Sequence, residues 1–233
     1  MSPRAVRMLG GPLLAALVRR VLVGRQVGGV SGDGRTLTRA EVGLILGRLW
    51  AHFDDLAPGI PWEPTFGSRM NVALAAMTVA VHRALGEAGI ADPEASDLIK
   101  EIAWRVYHAW ALLPGAFTRL VTRHPAKRLR VATGLFRRFP FNPPGYRMED
   151  VPVAGAVAFD VYRCPVADYF RARGLGQLCV RTWCALDKAL AGMWGGALER
   201  QGTLAGGVAR CDFRWVPLPR KASTVTGGEG KRA

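Results

Sequence analysis

The 233-residue chain is 49% hydrophobic and 21% charged, a composition that excludes intrinsic disorder and suits one large domain or two small ones. Its net charge of +14 comes almost entirely from 27 Arg against five Lys, spread from Arg4 to Arg232. That spread, with neither zinc-finger spacing nor an RNA-binding aromatic signature, argues for solubility and attraction of small carboxylates or phosphates over a nucleic-acid partner.

The N-terminal MLGGPLLAALVRRVLV is apolar but interrupted by Arg19 and Arg20. It therefore falls short of the about 20 uninterrupted apolar residues of a membrane span. No small-x-small cleavage motif follows it, so residues 1–34 read as a basic amphipathic helix and loop, in preference to a signal peptide or a peripheral membrane contact. Residues 35–139 read as helical. Thr38 precedes Glu41 by three residues, a capping box, and Leu44, Leu46, Leu49, Trp50 and Phe53 form an apolar stripe that ends at Pro58-Gly59. A second helix is expected from about Ser68 to Gly89. A third starts at Asp92-Pro93, with Asp as cap and Pro in the first turn, and runs to Pro114. A further helical segment is broken near Pro125, and its basic run over 119–138 reads as a solvated helix face.

PFNPPGYRMED forbids helix and marks a change of character, opening an α+β region at 140–218. Val157, Phe159 and Val161 alternate with Ala158, Asp160 and Tyr162, the period of a strand. A short helix starts at Pro165 and ends at Gly174, a longer one follows through LGQLCVRTWCALDKALAGMWGG, and one or two strands flank Gly206-Gly207. Residues 219–233 have nothing to pack and read as a disordered tail. The fold expected is α+β: a helical N-terminal region packed with a C-terminal antiparallel sheet and two helices, with 34–218 as one continuous domain.

All four cysteines fall in the last third. Cys164, directly before Pro165, occupies an N-cap, where the helix dipole and free amides lower a thiol's pKa; a buried structural Cys is the competing reading. Cys184 and Asp187 are three apart on a helix and share a face, an arrangement suited to thiol and carboxylate chemistry. Asp187 could equally pair with Arg181 or Lys188. Cys179 lies five before Cys184, about 140° around an α-helix, so those two are not expected to share a site. Cys211 shares a strand face with Phe213 and Trp215, with Arg210, Asp212 and Arg214 opposite. Nothing marks the chain as secreted, so a disulfide framework is not expected and the location expected is cytoplasmic. The spacing contains no C-x-x-C pair and none of the four His lies near the cysteines in sequence, so a three- or four-thiolate metal site assembled by the fold ranks below the thiol-chemistry and structural readings; no metal is expected, and no cofactor.

The segment FDVYRCPVADYFRARGLGQLCVRTWCALDKALAG…GTLAGGVARCDFRW resembles the L-2-amino-thiazoline-4-carboxylic acid hydrolase family. The likeness rests on Cys164-Pro165, Tyr169-Phe170, Cys184 with Asp187, Gly202-Thr203-Leu204, Gly206-Gly207 and Cys211-Asp212-Phe213. Upstream, Pro61, Gly67 and Asn71 resemble the family's Pro-then-Gly-then-Asn element, although FGSRM stands where the family tends to carry Gly-Gly and Lys. The resemblance implies hydrolytic opening of a small cyclic carboxylate at an amidine-like carbon. It implies catalytic roles for Cys164, Cys184, Asp187 and Cys211, with Asn71, Arg210 and Arg214 binding substrate. A small-molecule-binding module on the same scaffold is the alternative, and nucleic-acid binding through the Arg-rich surface a third. Oligomeric state is left open.

Overall fold

The computed structural model describes residues 3–28 and 34–218; the tail expected to be disordered, 219–233, and most of the GGVSGDG loop lie outside the described residues. Helix α1 (Pro3–Leu22) leads into a short hairpin of β1 (Gln26–Gly28) and β2 (Gly34–Thr36). Helices α2 (Arg39–Leu56), α3 (Phe66–Glu87), α4 (Glu94–Val121) and α5 (Pro125–Arg138) follow. The capping box of α2 forms as expected: the Glu41 amide donates to the Thr38 hydroxyl at 3.2 Å, and the Thr38 amide donates to the Glu41 carboxylate at 2.7 Å. Of the stripe expected on α2, Leu46, Leu49 and Phe53 are buried, Trp50 is half-buried and Leu44 is exposed. Ile45 is buried beside Val42, Leu46 and Leu49, whereas Leu44 faces solvent, because only the i, i+3, i+4 positions counted from Val42 meet α3.

The N-cap of α4 is Pro93, not Asp92, because the helix starts one residue later than expected, at Glu94; Asp92 still serves the first turn from one position further out, its carboxylate accepting from the amide and hydroxyl of Ser96. The helix also does not stop at Pro114. A proline removes one ladder donor, and the following turn is held by packing instead: Ala111, Gly115 and Thr118 are buried, with Gly115 against Trp194.

The C-terminal region forms a four-stranded antiparallel sheet, β3 (Arg147–Asp150), β4 (Val157–Arg163), β6 (Cys211–Pro217) and β5 (Gly196–Glu199), in the order β3-β4-β6-β5. The α+β architecture read from the sequence is thus observed. Between β4 and β5 lie α6 (Pro165–Arg171), α7 (Gly176–Cys179), a π-helical turn (Val180–Cys184) and α8 (Ala185–Met193). The register pairs Val157 with Trp215, Phe159 with Phe213 and Val161 with Cys211, so the alternation read from the sequence builds one apolar sheet face. One cluster of buried side chains runs from Val18 in α1 to Trp215 in β6. Gly67 sets how closely the start of α3 meets the turn at 139–146, since a Cβ there would lie 2.3 Å from the Pro140 carbonyl oxygen. Among the described residues, no helix is long and apolar enough to cross a membrane.

Candidate active site

The apolar face of β4 and β6, the π turn, α4 and α5 enclose a cavity of about 100 Å³. All four cysteines line it, together with Asp187, Arg200, Arg137 and Tyr107. The remaining wall is apolar and largely aromatic, a setting in which polar groups interact strongly with one another.

Each cysteine arrives by a different local device. Cys164 ends β4 and caps α6, accepting a hydrogen bond from the Ala167 amide at 3.5 Å, as its place before Pro165 predicts. The lowered pKa expected at that cap is not found: burial pushes this thiol far up, and the cap amide only partly offsets it. A helix of seven residues contributes little dipole, and the desolvation of a thiolate outweighs it. Cys211 is buried on its strand and accepts from the Leu204 amide at 3.1 Å; burial pushes it up to about 12.

Cys179 and Cys184 are not separated as expected. In the π turn the backbone repeats at i→i+5 instead of i→i+4, so residues five apart stack on one face and the two thiols hydrogen-bond. The Cys179 pKa is raised, first by that bond and then by burial. Cys184 is shifted the other way. The Cys179 hydrogen bond lowers it most; burial and Asp187 oppose this, while Arg200 and the Thr203 hydroxyl support the thiolate. Among the described cysteines, only Cys184 is lowered.

Asp187 pairs neither with Arg181 nor with Lys188. Its carboxylate accepts from Arg200 Nη1 at 2.7 Å, and Arg200 Nη2 donates to the Cys184 carbonyl at 2.8 Å. Arg200, whose side chain is 6% exposed, also lies 4.8 Å over the Phe213 ring. Burial raises the Asp187 pKa and Arg200 works against that rise. Sequence reasoning missed Arg200 because it follows β5 in a loop with no periodicity; its position two residues before the Gly202-Thr203 element was the available signal.

Arg210 and Arg214 do not reach the cavity. Both pair with Asp160, at 2.9 and 2.8 Å, on the opposite sheet face, as strand alternation requires. The cation at the cavity edge is Arg137, stacked 4.6 Å over Phe159 and paired with the exposed Asp150. Asn71 is not a lining residue either. Its amide donates to the Tyr146 hydroxyl at 2.8 Å, and Tyr146 lines the cavity, so Asn71 positions a wall residue from α3. Among the described residues, no group of three or more His, Cys, Asp or Glu side chains is placed to hold a metal ion.

Residues 124–215 match the family model of the L-2-amino-thiazoline-4-carboxylic acid hydrolases. No curated protein matches the chain. The matched stretch holds the four cysteines, Asp187, Arg200 and Arg137, while Asn71 and Tyr107 lie upstream of it. The likeness read from Cys164-Pro165 to Cys211-Asp212-Phe213 is therefore borne out: over residues 124–215 this chain is similar to the L-2-amino-thiazoline-4-carboxylic acid hydrolase family.

Proposed function

We propose that the protein is a hydrolase that opens a small cyclic amidine-like carboxylate, with Cys184 as its nucleophile. The observation that carries this reading is the direction of the Cys184 shift: a thiol at the wall of an apolar cavity, lowered by a Cys179 donor and by Arg200. A thiolate, not a thiol, attacks carbon. The Cys184 sulfur adds to the amidine-like carbon, and the ring carbon–sulfur bond breaks. The departing ring sulfur takes the proton that Cys179 had directed at Cys184. Asp187, held by Arg200, then accepts a proton from water as the oxygen adds to the same carbon. Cys184 leaves as thiolate, the proton returns to Cys179, and for the thiazoline acid the product is N-carbamoyl-cysteine. One water is consumed and all atoms balance. Cys164 and Cys211, both pushed up, remain neutral thiols that shape the cavity.

Arg137 takes the role first expected of Arg210 and Arg214. Its ion pair with Asp150 is on the surface and exchanges readily for a substrate carboxylate, whereas the Arg200–Asp187 pair is enclosed. The test is ring-opening of the thiazoline acid by purified variants. Cys184→Ser is expected to lose about three orders of magnitude or more in kcat, while Cys164→Ser retains most activity. Arg137→Leu is expected to raise KM about tenfold to a hundredfold with kcat little changed, from the ~1.5–3 kcal/mol of a charge-assisted hydrogen bond. Full activity in Cys184→Ser would sink the covalent mechanism.

A further inference from the structure

We propose that the second half of α4 and its turn into α5 form a docking surface for an anionic phospholipid membrane. Two independent observations meet there. The first is charge: from Ile102 to Met148 the sequence contains nine Arg or Lys and no Asp or Glu. Of these, Arg119, Lys127, Arg130 and Arg138 are exposed. The second is an uncovered apolar stripe. Trp110, Leu113, Phe117, Leu120 and Val121 are exposed by 40%, 77%, 50%, 87% and 55%. At about 100° per residue they fall within roughly a 100° arc of α4. The apolar surface continues off the helix, because Trp110 stacks on exposed Phe139 at 5.8 Å and Phe139 on exposed Phe66 at 6.2 Å.

Exposed apolar surface of this extent marks an interaction site. Charge complementarity selects the occupant. A second copy of the chain set against this face would bring like charges together, with no carboxylate in the segment to offset them. A nucleic acid would satisfy the cations but leave Leu113, Leu120 and Val121 without apolar contact. An anionic membrane satisfies both: the stripe enters the boundary between headgroups and acyl chains, and the flanking cations meet lipid phosphates. No spanning helix is required.

The test is co-sedimentation of the full chain with vesicles of phosphatidylcholine alone or mixed with phosphatidylglycerol. Binding is expected to the mixed vesicles and to be much weaker with phosphatidylcholine alone. Arg119→Gln with Lys127→Gln is expected to weaken binding roughly fivefold for each cation removed. Leu113→Ser with Leu120→Ser is expected to abolish it while circular dichroism stays unchanged, since both side chains already face solvent. The proposal is overturned if mixed vesicles leave the protein in the supernatant, or if the double Ser variant binds as the parent does. It is equally overturned if that variant converts a dimer to a monomer in gel filtration, or if the stripe is covered by an added oligonucleotide instead of lipid.

Discussion

Cys184 differs from the other three thiols because the donors to its thiolate outweigh its desolvation, whereas the backbone amides that donate to Cys164 and Cys211 do not, and Cys179 is itself a donor. Desolvation acts on all four, and the sign of each shift depends on what opposes it. The donor that matters most is the Cys179 thiol. Replacing Cys179 with Ala removes a hydrogen bond from the charged form, so the Cys184 pKa rises. In alkylation with iodoacetamide across pH, the parent is expected to show one fast thiol with an inflection below the ~8.5 of a free cysteine. In Cys179→Ala that inflection moves to higher pH and the rate at neutral pH falls; in Cys184→Ser the fast phase disappears. A fast phase that survives in Cys184→Ser would assign the reactive thiol elsewhere. Sequence alone pointed to Cys184 and Asp187 by their spacing of three, and to Cys164 by its cap. It could not rank them, because the ranking depends on Arg200 and Thr203, which reach the thiol only through the fold.

The π turn decides what the helix after Gly174 presents to the cavity. Helical spacing of 100° per residue puts Cys179 and Cys184 on different faces, and that reading is right for an α-helix; the wider turn overrides it locally. No residue in Val180–Cys184 announces a π turn, whereas Thr38 with Glu41, Asp92 with Ser96 and Pro165 after Cys164 announced their helix starts through side-chain chemistry. The turn is supported from outside by the segment Leu204–Gly206, which packs against the start of α7. Gly176 is the point of closest approach: a Cβ there would lie 2.4 Å from the Ala205 carbonyl oxygen. Backbone cannot move aside as a flexible side chain does. Gly176→Ala is therefore expected to destabilise the fold by about 1–3 kcal/mol, the range of an overpacked core, as read by urea denaturation. Because displacement of Leu204–Gly206 carries Thr203 with it, the same variant should slow Cys184 alkylation at neutral pH. A stability equal to the parent's would show that this contact does not hold the segment.

At the scale of the molecule, the site depends on residues far from it in sequence. Asn71 in α3 orients Tyr146, Tyr107 in α4 lines the cavity beside Asp187, and the buried Glu63 receives two hydrogen bonds from Arg163 next to Cys164. The helical N-terminal region and the cysteine-bearing sheet therefore share their polar contacts as well as one apolar cluster. We propose that residues 34–218 unfold as one unit, as the sequence led us to expect, and the consequence is testable at a distance. Phe53 in α2 is fully buried and lies outside the cavity wall. Phe53→Ala is expected to lower stability by about 3–5 kcal/mol. If the two regions unfold together, the urea midpoint read by helical circular dichroism and the midpoint read by labelling of the buried Cys179 thiol coincide in the parent and shift together in the variant. Two separate midpoints, or a Cys179 midpoint unmoved by Phe53→Ala, would instead divide the chain near the proline-rich turn at 139–146 and make the sheet with its helices an autonomous folding unit.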